Sequence, residues 1–306
     1  MTGAGTDVPI LLIAFNRPEP TSVVFEAIRR ARPAQLFVAV DGPRDRPGES
    51  DACERVRATV TDVDWPCEVR TLFREDNLGC RYGVQAAIDW FFEQVDQGVI
   101  LEDDCVPDPT FLAFAGELLE RYRDDERVMM ISGDYFAGDG FDDSASYYFT
   151  RYTHIWGWAS WRRAWKNFDA AIADWPERRA SRWLDSVHHD ADFRRYWTDV
   201  FDRVHADQID TWDYSWQYSV WAHGGLVAIP TRNLITNIGF GEDATHTVDG
   251  SAWQSRLPTT PMDFPLVHPA AVVDDEARDA WTDEFLFGTK RASLVRRVAG
   301  RLRALR

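Results

Sequence analysis

Three consecutive acids, Glu102, Asp103 and Asp104, directly follow the apolar run 99–101 in the segment GVILEDDCVPDP. Adjacent carboxylates repel one another, so their charge is costly unless a cation lies beside them. Mn²⁺ and Mg²⁺ prefer oxygen ligands and often complete their coordination with water and phosphate. Strand alternation places Glu102 and Asp104 on one face and Asp103 on the other. We therefore predict Asp104 as a metal ligand, with a solvated turn as the alternative.

Polar residues also follow three other strand-like segments. Arg17 follows the first, Asp41 the second, and the turn 74–83 the third. An aspartate can accept a hydrogen bond from a nucleobase N–H, and an arginine can bind phosphate. Glycines at a helix start allow a ligand to approach the backbone closely. In the turn we predict ligand contacts at Arg74, Asn77, Gly79 and Gly83.

A regular alternation of strands and helices would bring these groups together. The predicted strands cover 8–15, 35–42, 67–73 and 98–104, and the predicted helices cover 20–31, 50–63 and 82–95. Such alternation favours right-handed βαβ units and a mostly parallel sheet with flanking helices, which is an α/β fold. The carboxyl ends of the strands then form the ligand-binding edge.

The second half of the chain is rich in aromatic residues. After a helix at 109–123 and a strand at 128–134 come a Gly/Asp/Ser loop, the aromatic segment 147–165, a helical stretch at about 179–206, and TWDYSWQYSVWAHGG at 211–225. We see no internal repeat. We divide the chain into a nucleotide-sugar-binding half at 1–135, an acceptor-side half of the same domain at 136–268, and a tail at 269–306.

Several functions fit the sequence poorly. It has no GxGxxG after the first strand and no GxxxxGK[ST], which disfavours dinucleotide redox enzymes and P-loop ATPases. Its formal net charge of −16 makes general nucleic-acid binding improbable, because a phosphate-binding face would be basic. A nucleoside-diphosphate ligand held by a metal fits better.

The chain resembles glycosyltransferases of the GT-A fold, in which a strand-end acidic motif holds Mn²⁺ or Mg²⁺ against the diphosphate of a nucleotide sugar. More closely, it resembles the Golgi N-acetylglucosaminyltransferase that begins complex N-glycans and its prokaryotic relatives, from about residue 8 to about residue 250. The resemblance implies donor contacts at Ala14, Phe15, Asn16 and Arg17 in AFNRP, a uracil contact at Asp41 in VAVDG, and a sugar contact at Asp103 in LEDDC.

The same resemblance implies a catalytic base. The family carries it in a Trp-Asp-acid-Trp segment, matched here by TWDYSW and therefore by Asp213, with Trp212 and Trp216 beside it. The match is imperfect, because Tyr214 replaces the second acid and one residue is inserted. Direct displacement needs one carboxylate to deprotonate the acceptor and a metal to stabilise the leaving diphosphate, and it inverts the anomeric centre.

A later family loop closes over the donor, and FGEDATH matches it. It supplies Phe240, Gly241, Thr245 and His246, and His246 is the second predicted metal ligand. Each assignment has a structural alternative. Asp213 could be a helix N-cap, and His246 a solvated loop histidine. The indoles of Trp156 and Trp158 could stack on acceptor sugars or simply pack in the core.

The cellular setting is predicted from three features. The four cysteines lie far apart and are expected to be free thiols. No segment approaches the roughly 18 apolar residues of a membrane span, and the N-terminus lacks a secretory signal, so we expect a cytoplasmic protein. The basic tail has Val295, Val298, Leu302 and Leu305 on one helical face. It could bind an anionic membrane surface peripherally or dock on its own acidic domain.

The sequence thus predicts a metal-dependent, inverting glycosyltransferase that uses a nucleoside-diphosphate sugar, with UDP the expected nucleotide. The acceptor would be a saccharide, plausibly lipid-linked, in glycan biosynthesis or protein glycosylation. Two alternatives stay open: a sugar-phosphate nucleotidyltransferase and a non-catalytic saccharide-binding protein.

Overall fold

A computed structural model describes residues 7–138, 140–141, 143–239 and 257–289. The strands are β1 (Ile10–Ala14), β2 (Gln35–Val40), β3 (Glu68–Phe73), β4 (Gln97–Glu102), β5 (Cys105–Pro107), β6 (Val128–Ser132), β7 (Tyr147–Thr150), β8 (Trp158–Trp161), β9 (Leu226–Pro230) and β10 (Ile235–Asn237). The helices are α1 (Pro18–Ala31), α2 (Glu49–Thr61), α3 (Gly79–Gln94), α4 (Phe111–Arg121), α5 (Arg162–Trp165), α6 (Trp175–Ala180), α7 (Leu184–Val187), α8 (Ala191–His205), α9 (Asp213–Ala222) and α10 (Glu276–Phe285).

Eight strands form one central sheet in the order β3-β2-β1-β4-β8-β6-β9-β7. The first four are mutually parallel, β6 is parallel to β9, and β7 and β8 run antiparallel to their neighbours. The predicted α/β class with a mostly parallel sheet is confirmed. Because β7, β8 and β9 come from the second half of the chain, both halves share this sheet.

Two helical layers cover the sheet and explain its apolar strands. Every residue of β1 is buried. On one face, α1, α2 and α4 pack through residues such as Phe25, Val56 and Phe114. On the other, α3 and α9 pack through residues such as Phe91 and Trp216. A strand buried on both faces requires a continuous apolar run, as β1 shows.

The predicted helical stretch at about 179–206 is divided into three helices, which corrects the prediction. Arg182 takes a left-handed conformation with φ 57° between α6 and α7. His188 is extended after α7. Asp190 then starts α8 by accepting hydrogen bonds from the backbone N–H groups of Asp192 and Phe193. A local cap thus begins a new helix where hydrophobic spacing alone indicated continuity.

The segment 257–289 docks on the second half of the chain through ion pairs. Arg151 binds Asp274 and, at 2.8 Å, Asp279. The hydroxyl of Tyr152 donates a hydrogen bond to Asp283. The basic helix predicted around Val295, Val298, Leu302 and Leu305 lies outside the described residues. Within those residues, no helix combines the length and apolar character needed to cross a membrane.

Candidate active site

A cavity of about 490 Å³ lies at the carboxyl ends of β1, β2 and β4, between the N-termini of α3 and α9. Most of the predicted site residues line it. They are Ala14, Phe15, Asn16, Arg17, Asp41, Arg74, Asn77, Gly79, Gly83, Asp103, Asp104, Trp156, Trp212 and Asp213. The strand topology brings them together, because parallel strands end at the same edge. His246, with Phe240, Gly241 and Thr245, lies outside the described residues.

The acids that follow β4 are neutralised by an arginine of the same chain. The Nη2 atom of Arg17 lies 2.8 Å from Oδ2 of Asp104, and the same guanidinium also ion-pairs with Asp103. The side chain of Asp103 is 4% exposed and that of Asp104 is 14% exposed. Asp104 is therefore the more accessible of the two carboxylates.

Burial and mutual repulsion affect the protonation of this cluster. Burial raises the pKa of Glu102, and the charges of Asp104 and Asp103 add to the rise. Burial also raises the pKa of Asp103, although Arg17 opposes the effect. Burial lowers the pKa of Arg17, but Asp103 and Asp104 raise it above its usual value. The arginine therefore stays charged, and Glu102 is the acid that is most costly to ionise.

Asp41 organises the turn that precedes α3. Its carboxylate accepts hydrogen bonds from the amide of Asn77 at 3.0 Å and from the backbone N–H groups of Leu78 and Gly79 at 3.1 Å. Gly79 has φ 76°, a conformation that glycine adopts without steric cost. A Cβ on Gly83 would lie 3.2 Å from the Asp41 carboxylate, so that helix turn packs closely on it. Asp41 thus shapes the cavity wall, and its contact with a nucleobase stays a prediction.

The three arginines that line the cavity differ in their partners. Arg17 is held by Asp103 and Asp104, as described above. Arg44 binds Glu49 at 2.5 Å. The half-buried Arg74 has no acidic partner within the described part of the chain. Its guanidinium is therefore a cation available to an anionic ligand.

Asp213 begins α9 on the opposite side of the cavity. Its Oδ1 accepts hydrogen bonds from the hydroxyl of Thr211 at 2.7 Å and from the backbone N–H of Tyr214 at 2.8 Å. The preceding residue, Trp212, occupies the N-cap position and makes no side-chain cap. The pKa of Cys80 is raised mainly by burial and then by the negative charge of Glu102. The charge of Asp213 adds a smaller rise. The carboxylate therefore lies close enough to affect groups on the α3 side of the cavity.

The predicted acceptor-side tryptophans separate into two groups. Trp156 is half-buried in the cavity wall, where its backbone N–H donates to Asp134 at 3.0 Å. Trp212 also borders the cavity, but its side chain is only 1% exposed. Trp158 and Trp216 are fully buried in the core, and the Trp158 ring stacks 5.6 Å from that of Trp212. This departs from their predicted acceptor role, because packing within the core consumes their aromatic surface.

Sequence reasoning missed several residues of the cavity wall. Asp210 and Thr211 lie three and two residues before the predicted base, and Asn237 and Gly239 lie at and just after the end of β10, which pairs with β5. A Cβ on Gly239 would lie 2.0 Å from Oδ2 of Asp104. Proximity to Asp213 could have indicated Asp210. The packing of Gly239 against Asp104 arises from a pairing between distant segments and leaves no local signal.

The described residues of the cavity could hold a cation only together with a bound diphosphate. Within the described ranges, no group of three or more His, Cys, Asp or Glu side chains is arranged to hold a metal ion. Asp104 is one accessible carboxylate, and Mg²⁺ is often bound by one or two carboxylates together with substrate phosphates. Asp104 is thus suited to a cation whose other ligands are water and a diphosphate.

The cysteines make no disulfide, as predicted. Burial raises the pKa of Cys80 well above its usual value, so that thiol is protonated at neutral pH. Its position in the cavity wall therefore adds neither a charge nor a reactive thiolate.

No protein-family model matches the sequence, and no curated protein matches it either. Solved structures show limited similarity. TarS from S. aureus is 13% identical, with 53% of this chain and 30% of that chain covered and a TM-score of 0.35. The mannosyltransferase PcManGT from Pyrobaculum calidifontis, in complex with GDP-Man and Mn²⁺, is 17% identical, with 51% and 45% covered and a TM-score of 0.34. HddC from Yersinia pseudotuberculosis is 9% identical, with 51% and 77% covered and a TM-score of 0.33.

The chain thus spans less than half the length of the first two of these proteins. The low identities and TM-scores identify no family, and the Golgi N-acetylglucosaminyltransferase is not among these three structures. The function is therefore inferred from the residues of the cavity.

Proposed function

We propose that this protein is a metal-dependent, inverting glycosyltransferase that uses a nucleoside-diphosphate sugar. One observation carries the proposal: Arg74, which has no acidic partner among the described residues, the accessible carboxylate Asp104 and the acid Asp213 line a single cavity at the carboxyl ends of parallel strands. That edge is where α/β sheets bind nucleotides. The combination suits two ligands, an anionic donor at one end of the cavity and an acceptor whose hydroxyl reacts at the other.

The donor would bind along the wall formed by β1, β2 and α3. Arg74 has no acid to compete for its guanidinium in the described residues, so it can make charge-assisted hydrogen bonds to the anionic nucleotide. Phe15 and Asn77 line the same wall, where Arg44 covers the Phe15 ring and the Asn77 amide NH₂ is held by Asp41 and the Gly42 carbonyl. We propose UDP as the nucleotide, with Asp41 as the acceptor of a uracil N–H.

Asp213 would be the general base. It lines the same cavity as Asp104, where it would remove the proton of an acceptor hydroxyl while that oxygen attacks the anomeric carbon. The bond from that carbon to the diphosphate breaks in the same step, so the configuration inverts. A bound Mn²⁺ or Mg²⁺ supplies neutralising charge to the departing diphosphate. Asp104 would hold this ion, with His246 as the second proposed ligand.

The acceptor would enter on the side of Trp156, the half-buried tryptophan of the cavity wall. Aromatic faces bind the apolar faces of sugar rings, so we propose a saccharide acceptor. A lipid-linked saccharide, and hence a place in glycan assembly or protein glycosylation at the cytoplasmic side of a membrane, rests on the basic C-terminal sequence alone.

A panel of UDP- and GDP-sugars, each with and without Mn²⁺, tests the donor assignment by thermal shift. The cognate donor should raise the melting temperature of wild-type protein, because it binds the folded state. Asp213→Asn should retain the shift and lose about 10²- to 10⁴-fold in turnover, which is the usual contribution of a general base. Asp199→Asn, at an exposed position of α8, is the matched control and should keep wild-type turnover.

Three outcomes would contradict the proposal. If no nucleotide sugar is bound, the protein is not a transferase of this kind. If Asp213→Asn retains wild-type turnover, the base is misassigned. If the protein instead forms a nucleotide sugar and pyrophosphate from a nucleoside triphosphate and a sugar phosphate, it is a nucleotidyltransferase. Donor binding without any turnover would favour the non-catalytic saccharide-binding alternative.

A further inference from the structure

We propose that Arg17 blocks the cation ligand Asp104 until an anionic diphosphate draws its guanidinium away. This inference rests on the proposed function, because it assumes that a cation and a diphosphate meet in this cavity. It assigns Arg17 a second role besides donor contact, as a positioning residue that makes cation binding depend on the donor.

The geometry places Arg17 in direct competition with a cation. Its Nη2 atom lies 2.8 Å from Oδ2 of Asp104, so the guanidinium holds a position beside that oxygen that a metal would need, while Oδ1 accepts a hydrogen bond from the Cys105 thiol at 3.4 Å. The other side of this carboxylate is closed by Gly239, where an added Cβ would lie 2.0 Å from the same oxygen. Asp104 therefore has little room to turn away, and departure of Arg17 would free only the side of Oδ2 that the guanidinium now covers.

The Arg17 side chain can leave while its backbone stays fixed. Its carbonyl oxygen accepts hydrogen bonds from the backbone N–H of Thr21 at 3.1 Å and from the Thr21 hydroxyl at 2.5 Å, which anchors the start of α1. Its side chain is 21% exposed to the cavity. Motion is therefore restricted to the side-chain torsions, and a modest rotation separates Nη2 from Asp104.

A diphosphate is a suitable ligand to move this arginine. Guanidinium groups form short bidentate hydrogen bonds with phosphate oxygens, and a diphosphate as a whole bears more negative charge than the single carboxylate of Asp104. Asp103, which also accepts a hydrogen bond from the Nε atom at 3.4 Å, can retain the arginine as it turns. The exchange transfers Arg17 to the diphosphate and opens Asp104 to the cation. Because the coupling free energy between two bound ligands is reciprocal, the cation and the diphosphate must each strengthen the binding of the other.

The test measures Mn²⁺ binding by electron paramagnetic resonance and calorimetry, with no turnover involved. Mn²⁺ is titrated alone and then with UDP, after correction for Mn²⁺ bound by free UDP. Wild type should bind Mn²⁺ weakly alone and roughly 5- to 150-fold more tightly with UDP, the usual range of coupling between two sites. Without UDP, Arg17→Gln should bind Mn²⁺ more tightly than wild type by a similar factor. Addition of UDP should then tighten Mn²⁺ binding less than it does in wild type.

Two variants separate release of Asp104 from general effects of charge and folding. Arg17→Gln alone leaves the buried Asp103 without its cation and adds one net negative charge to the site. The double variant Arg17→Gln/Asp103→Asn restores the wild-type net charge and removes the buried unpaired acid. It should still bind Mn²⁺ alone more tightly than wild type. Arg55→Gln, which removes an exposed arginine paired with Glu19, should match wild type.

The outcomes distinguish this inference from the proposed function. If wild type binds Mn²⁺ and UDP together and both Arg17 variants bind Mn²⁺ alone no more tightly than wild type, the blocking role is refuted and the transferase proposal stands. If wild type binds neither UDP nor any nucleotide sugar in the presence of Mn²⁺, both proposals fail. Asp104→Asn should abolish the Mn²⁺ binding gained in the Arg17 variants, and its persistence would also refute the inference.

Discussion

The carboxylate of Asp41 accepts a hydrogen bond from the backbone N–H of Gly79 at 3.1 Å. This hydrogen bond connects the end of β2 to the first residue of α3. The first turn of a helix has backbone N–H groups without partners inside the helix, and an acid at this position satisfies one of them. The hydrogen bond also fixes the turn that carries Asn77 into the cavity wall. Stability of α3 and the shape of the proposed donor site thus depend on one side chain.

Asp41→Ala should lower the free energy of unfolding by about 1–3 kcal/mol, because several N–H donors lose their acceptor in a partly buried place. Urea denaturation measures the change. Asp199→Ala, at an exposed position in the middle of α8, is the control and should stay within about 0.5 kcal/mol of wild type. Equal effects at the two positions would show that Asp41 does not organise the turn.

Arg74→Gln should weaken nucleotide binding and leave stability nearly unchanged. The guanidinium has no acidic partner in the described residues, so its removal breaks no ion pair there. Loss of one charge-assisted hydrogen bond costs about 1.5–3 kcal/mol, which corresponds to about 10- to 150-fold in the UDP dissociation constant. Calorimetry with UDP measures it. Arg70→Gln, within β3 and paired with Glu68 at the surface, should bind UDP as wild type does.

Gly239→Ala should impair Mn²⁺-dependent donor binding through Asp104. The new methyl would lie 2.0 Å from the Asp104 carboxylate, so that the side chain or the strand end must move. Steric overlap of this kind typically costs about 1–3 kcal/mol. Calorimetry with UDP and Mn²⁺ should therefore show weakened binding. Gly138→Ala, where nothing lies within 4 Å of the added carbon, should retain wild-type binding. Unchanged binding by Gly239→Ala would show that Asp104 tolerates displacement.

The sheet of the first half was predictable because its signals are local. Buried strands such as β1 and β4 are continuous apolar runs, and the polar residues Arg17, Asp41 and Asp104 follow their strands directly. Parallel topology then brings strand ends together without any further information. The α/β class and the composition of the cavity wall on the β1, β2 and β4 side follow from these signals.

The remaining features depend on contacts between distant residues. The pair of Arg17 with Asp104 spans 87 positions, and the pair of Arg151 with Asp279 spans 128. The antiparallel strand β8 is inserted between β4 and β6 although it follows both in sequence. Burial of Trp158 and Trp216 follows from this arrangement, since their surroundings are set by β8 and α9. Composition cannot distinguish such core tryptophans from ones that face a ligand.

The docking of α10 places one ionisable group where its protonation affects folding. Asp279 is 2% exposed and accepts hydrogen bonds from the hydroxyl of Thr150 and from Nε of Arg151, the latter at 2.8 Å. Burial raises its pKa to about 6, although Thr150 and Arg151 partly oppose the rise. In an unfolded chain the pKa of an aspartate is about 3.9. The folded protein therefore binds more protons at this position between about pH 4 and pH 6.

Asp279 should therefore favour the folded state most below about pH 4, and this contribution should be lost as the pH rises through about 6. A shift of roughly two pKa units corresponds to about 3 kcal/mol. Asp279→Asn cannot ionise, so the unfolding free energy of wild type should fall relative to the variant by about this amount between pH 4 and pH 7. Urea denaturation at each pH gives the difference, in which groups common to both proteins cancel. Parallel stability curves would show that Asp279 stays ionised in the folded state and that burial does not govern its protonation.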